Sequence, residues 1–182
     1  MALEFTTSYL RDSIEVFRQY KKLAERAMDQ VKDEQLFIAL DCESNSIALI
    51  VKHLAGNMRS RWTDFLITDG EKPTRNRDSE FEDPPTTREA LMAMWDGGWA
   101  CLFAALAPLS DADLTRKVAI RGEAHSVMQA INRQLAHYPY HCGQIVFLAK
   151  HLSYGEWKAL TVPRKGSAEF NRRVLDGEAS QR

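Results

Sequence analysis

The chain has 182 residues, 45% hydrophobic and 27% charged, which fits one globular domain able to bury its own core without staples. Its 24 Lys and Arg against 25 Asp and Glu leave a formal net charge of -1, and the small basic clusters are offset by acids, which argues against a nucleic-acid partner. Cys42, Cys101 and Cys142 form no CxxC, the N-terminus carries no apolar signal-peptide region, and the longest apolar run, Trp99 to Leu109, is too short to span a bilayer, so a cytoplasmic protein with no membrane partner is expected.

Residues 2–31 read as the first helix, because Leu10, Ile14, Phe17, Ala24, Ala27, Met28 and Val31 recur at three- and four-residue steps between charged positions. Residues 32–43 are apolar in part but short, and read as a packed connection. The second helix is predicted over 44–68, capped by Ser44 or Asn45, with Ile47, Ile50, Leu54, Met58, Trp62 and Phe65 on its buried face. Beside that face run His53, Asn57 and Arg61 at four-residue steps, a polar stripe unusual for a purely structural helix. Gly56 in the same helix costs roughly 1 kcal/mol against Ala, which close approach of a neighbouring backbone would explain.

Residues 69–86 read as a long loop of mixed charge, expected to form ion pairs with helix surfaces or solvent; loops beyond about 12 residues are uncommon without a function. Thr86 or Thr87 caps a third helix to about Leu106, with Leu91, Met94, Trp95, Leu102, Phe103 and Leu106 buried and Gly97-Gly98 marking tight helix contact or a kink. Pro108 stops it. Residues 115–120 and 123–125 flank an Arg121-Gly122 turn and predict a small β-hairpin. Ser126 with Gln129 forms a capping box for a fourth helix, whose apolar run is Val127, Ile131, Leu135, Tyr138, Cys142, Ile145, Leu148 and Leu152. After it come a helical turn near 156–160 and a polar tail, with Trp157 anchoring the tail. Four long amphipathic helices with little strand predict an all-α four-helix bundle over 1–160 and a polar C-terminal tail over 161–182.

His137 and His141 lie one turn apart on the fourth helix, flanked on the same stripe by Gln134 and Gln144, so both imidazoles can reach one metal ion. His53 would supply a third ligand from the second helix. Each histidine alone has a plainer reading as a core or surface residue. His125 is assigned to structure and His151 to the helix C-terminus, where a cation suits the dipole. Neutral imidazoles suit zinc, nickel and iron, and three of them leave a coordination position open. Tyr138 follows His137, so this is not HExxH and a peptidase is disfavoured. Pro139 removes one helical hydrogen bond at a cost of about 3 kcal/mol; it either kinks the two histidines apart or aims both at the metal.

The blocks SNSIALIVKHLAGNMRSRWTDFLITDGEKPTRNRDSEFE and AINRQLAHYPYHCGQIVFLAKHL resemble the DinB-like superfamily, and more closely its branch of small bacterial proteins of unassigned function, over most of residues 1–172. The resemblance implies a four-helix bundle of the up-down-down-up type with a long crossover, a homodimer, and a nickel or zinc site (iron is also compatible) whose ligands fall on His53, His137 and His141. Pro139 departs from the more common pattern. The resemblance also implies a small-molecule substrate and, in some members, thiol S-transferase or maleylpyruvate isomerase activity with a low-molecular-weight thiol. Asn57 and Arg61 could then bind an anionic part of cofactor or substrate, against the plainer reading that they pair with the charged loop. Metal-assisted hydrolysis and a non-catalytic dimeric metal-binding or stress protein are the alternatives.

Overall fold

The computed structural model describes residues 8–180, so the predicted start of the first helix at residues 2–7 lies outside the described residues. The chain is mostly helical: α1 Tyr9–Met28, α2 Ile47–Trp62, α3 Arg88–Leu106, α4 Val127–Leu152 and α5 Ser167–Leu175, with β1 Lys117–Ile120 and β2 Glu123–Ser126 between α3 and α4. Among the described residues, no helix is long and apolar enough to cross a membrane.

Each long helix begins at a hydroxyl cap. Ser8, Ser46, Thr87 and Ser126 accept from the backbone N–H three residues on, satisfying a donor that the helix itself leaves free. Ser46 takes this role on α2, not Ser44 or Asn45, and the Ser126–Gln129 capping box forms as its spacing requires. α2 ends at Trp62, short of residue 68, because Asp64 enters the left-handed region at φ 48° and residues 63–67 turn. Residues 32–43 carry only a short 3₁₀ turn at Asp33–Phe37.

The hairpin pairs Lys117 with Ser126 and Ile120 with Glu123. Its two-residue turn has positive φ at both Arg121 (57°) and Gly122 (77°), the geometry that matches the twist of tight hairpins. Val118 and Ile120 are buried.

α1 packs chiefly on α4 and α2 chiefly on α3, with further α2–α4 and α1–α3 contacts closing one apolar core. Its centre is aromatic: Phe17 and Trp99 each lie 5.8 Å, centroid to centroid, from the Tyr138 ring. Full burial of side chains this size stabilises the fold by about 1.5–3 kcal/mol each. α2 and α3 pack closely at Gly98, where an added Cβ would come within 2.9 Å of the Ala55 Cα, so the glycine pair marks tight packing. α2 is buried on nearly every side, and its polar stripe is enclosed with it.

Pro139 leaves α4 a continuous helix. No helical turn forms at 156–160. That segment is instead held to α1, where Gln30 pairs with the backbone of Lys158 at 2.7 and 3.1 Å and Arg26 donates to the Leu160 carbonyl; Trp157 packs partly buried on the core. Within 161–182 the short α5 forms, with no buried residue.

Candidate metal centre

α2 and α4 bring His53, His137 and His141 together. The Nε2 atoms of His53 and His137 are 3.3 Å apart and those of His137 and His141 are 3.1 Å apart. One ligand nitrogen from each ring lies within 4.8 Å of the others. Three imidazole nitrogens bound tetrahedrally to one zinc at about 2.0–2.1 Å sit about 3.3 Å apart. Pro139 therefore does not separate the α4 pair.

The opposite side of each ring fixes where its proton lies. The Nδ1 of His53 is 2.9 Å from Glu80 Oε2. A carboxylate only accepts, so Nδ1 carries the proton and Nε2 keeps its lone pair. The Nδ1 of His141 donates to Gln144 Oε1 at 2.7 Å, while the amide nitrogen of Gln144 donates to the Tyr140 hydroxyl. The Nδ1 of His137 faces Gln134 Oε1 at 3.3 Å. With each Nδ1 donating outward, the three Nε2 lone pairs face one another. That arrangement is repulsive unless a cation sits among them, and acceptors on the outer nitrogens are how metal-bound histidines are oriented. The residues present fit a divalent transition metal.

Charge around the rings is consistent with neutral ligands. Burial, together with the neighbouring His141 and His53, pushes His137 down to about 3. Burial likewise lowers His141, against a hydrogen bond to Gln144 that raises it. Burial alone would raise the Glu80 carboxyl, but hydrogen bonds from His53 and Arg75 reverse this and hold it below the ordinary carboxylate range. Glu80 is thus an anion in the interior, with its side chain 7% exposed.

Glu80 belongs to a short 3₁₀ turn, Asp78–Phe81, inside the long loop. The loop is pinned at both ends. Asp69 accepts from the backbone of Arg121 and Gly122 in the hairpin turn, and Lys52 of α2 donates to the carbonyls of Glu82 and Asp83. Arg75 forks onto Glu80 at 2.7 and 2.9 Å and reaches Glu71, which also takes Arg61 and Arg121. Gly56 makes room for this anion: a Cβ there would stand 2.5 Å from Glu80 Oε1. The close neighbour that the sequence predicts at Gly56 is therefore a side chain, not a backbone. Phe81 stacks on His53 with centroids 4.7 Å apart.

Asn57 and Arg61 are buried beside the histidines. Asn57 Oδ1 accepts from the Tyr138 hydroxyl at 3.0 Å, and that oxygen accepts from Trp62 Nε1 at 3.0 Å. Arg61 donates to the Gly70 carbonyl and to Glu71, so the loop pairing weighed for it is present. Both also line a cleft of about 580 Å³ over the three imidazoles. Cys142 is fully buried in the core, and burial pushes its thiol up to about 12.

Residues 4–166 match the model of the family described as "Protein of unknown function (DUF1572)", and the chain belongs to that family. No curated protein and no solved structure matches the chain.

Proposed function

We propose that this DUF1572-family chain is a DinB-like, four-helix-bundle metalloenzyme that holds one divalent metal, nickel or zinc with iron as a further candidate, on His53, His137 and His141. The single observation that carries the reading is the convergence of three Nε2 atoms on rings whose Nδ1 atoms each face an acceptor oxygen, on Glu80, Gln134 and Gln144. Three protein ligands would leave a coordination position for water or substrate, as in catalytic rather than closed structural sites.

The reaction we assign is thiol S-transfer to a small electrophile. The metal, when bound, supplies the positive charge that keeps a low-molecular-weight thiol as its thiolate near neutral pH. The chain's own residues do the rest. Glu80 and Gln144 fix ring orientation, Phe81 covers one face of His53, and Asn57 and Arg61 form polar wall beside the ligands. The thiol must come from outside, since among the described residues no cysteine lines the cleft, and Cys142, next to His141 in sequence, is buried with its thiol pushed up to about 12. Hydrolysis is the weaker reading because no carboxylate lines the cleft among the described residues, and Glu71 and Glu80 are both engaged by arginines. A thiolate needs no such base.

The test is thiol consumption with a generic electrophile, monobromobimane or 1-chloro-2,4-dinitrobenzene, by zinc- or nickel-loaded protein. Turnover that disappears in the chelated protein and in His141→Ala supports the reading. Metal binding without turnover of any thiol offered would leave a non-catalytic, dimeric metal-binding protein in its place.

A further inference from the structure

We infer that the cleft over the three histidines takes a small molecule bearing a carboxylate or phosphate group, gripped by Arg77 and Arg133. The assignment of this molecule as the substrate rests on the metalloenzyme reading above; the anion grip itself rests on the arginines.

Among the described residues, five guanidinium groups line the cleft, those of Arg61, Arg75, Arg77, Arg121 and Arg133, and no carboxylate does. Three of the five are already paired from beneath, sharing two carboxylates. Glu71 takes Arg61 and Arg121, and Glu80 with Glu71 takes Arg75. The guanidinium groups of Arg77 and Arg133 have no hydrogen bond and no acidic partner among the described residues. Isolated exposed arginines usually just face solvent, but these two are placed by the site. The Arg77 guanidinium lies 5.1 Å from the centroid of Phe81, and Phe81 in turn stacks on His53. Arg133 precedes His137 by one turn of α4, which puts it on the face that carries His137 and His141. Two unpaired cations from different elements thus border the imidazoles on the cleft side.

Deeper in the wall, Arg61 Nε is buried without an acceptor. An uncompensated buried donor is costly and rare in a native fold. The metal would add charge that its three neutral ligands do not cancel, so the field over the cleft is positive from floor to rim. A planar guanidinium fork matches carboxylate and phosphate oxygens in pairs, which sets this class of ligand apart from neutral ones.

The experiment is calorimetric titration of zinc-loaded protein with malonate, inorganic phosphate and neutral malonamide, for wild type and for the Arg77→Gln/Arg133→Gln double variant. Both side chains are exposed and unpaired, so the variant should fold as the wild type does. The expected result is saturable binding of malonate or phosphate, none of malonamide, and about tenfold or greater weakening in the double variant. The tighter of the two anions assigns the head group. Equal affinity in wild type and double variant, or no saturable binding of either anion by wild type, overturns the inference. Zinc content is measured on the same samples. If zinc does not load, the metal reading falls, and the same comparison on metal-free protein still decides the anion grip.

Discussion

Replacing Glu80 with Gln keeps the shape of the side chain and removes its charge. The carboxylate takes three donors, His53 Nδ1 at 2.9 Å, Arg75 Nε at 2.7 Å and Arg75 Nη2 at 2.9 Å, with 7% of its side chain exposed. An amide offers one oxygen and one NH2 group, so it cannot accept on both sides. If the NH2 faces Arg75, a buried guanidinium loses half its fork. If it faces His53 it also faces Arg75 Nη2, which loses its acceptor, and the ring turns to the tautomer with the proton on Nε2, which cannot bind metal. Charge-assisted hydrogen bonds are worth about 1.5–3 kcal/mol each. Arg75 keeps Glu71 at 3.2 Å, so a loss of about 2–3 kcal/mol is expected rather than the roughly 3–5 kcal/mol of a fully orphaned buried charge. Zinc affinity should fall by about 10–100-fold, the usual cost of removing a partner behind a ligating histidine. Urea unfolding of metal-free protein reads the first number, and competition with a chromophoric chelator reads the second. A stability change within about 0.5 kcal/mol, as at an ordinary surface position, together with unaltered zinc affinity, would refute the role given to Glu80.

Three further outcomes are expected. Gly56→Ala should destabilise the fold and weaken zinc binding together, although Ala gains about 1 kcal/mol in helix propensity, because its Cβ meets the Glu80 carboxylate at 2.5 Å; urea unfolding and the chelator assay check both. Metal-free protein should lose stability as pH falls below 6.5, since the unfolded chain takes up a proton there that folded His137, pushed down to about 3, does not. The loss is up to about 2 kcal/mol by pH 5 for this one group, and His137→Gln should make that slope shallower in urea titrations at pH 7 and pH 5, leaving the part due to His141, which burial also lowers. Iodoacetamide on the native protein should label exposed Cys42 and spare Cys142, whose thiol is buried and raised to about 12; peptide mass spectrometry that finds Cys142 labelled equally fast would contradict its core placement.

The parts of this architecture written in local spacing are legible in the sequence. α4 announces itself by its capping box and apolar run, the hairpin by Arg121-Gly122, and the His137–His141 pair by a one-turn separation. His53 is legible because it borders the apolar face of α2 at the head of a polar stripe. Glu80 is not legible: it lies 27 residues from His53, and in the loop nothing distinguishes it from Glu71, Glu82 or Asp83 until the 3₁₀ turn aims it inward. Gly56 is the one local trace it leaves. The end of α2 is hidden for a related reason, since Asp64 adopts positive φ without Gly or Pro to signal it. The arginines of the cleft come from α2, the loop, the hairpin turn and α4: Arg61 and Arg133 share a face with the histidines of their own helices, but nothing local marks Arg75, Arg77 or Arg121. α5 buries nothing and is nine residues long, too short for the Phe170–Val174 spacing to mark a helix by itself.

The central claim is one metal held jointly by α2 and α4. Elemental mass spectrometry of untagged protein, purified without added metal, tests it beside His53→Ala and His137→Ala. Near-stoichiometric nickel, zinc or iron in the wild type, abolished by either substitution, is the predicted result. A wild-type chain that stays metal-free after reconstitution with each of the three would contradict it.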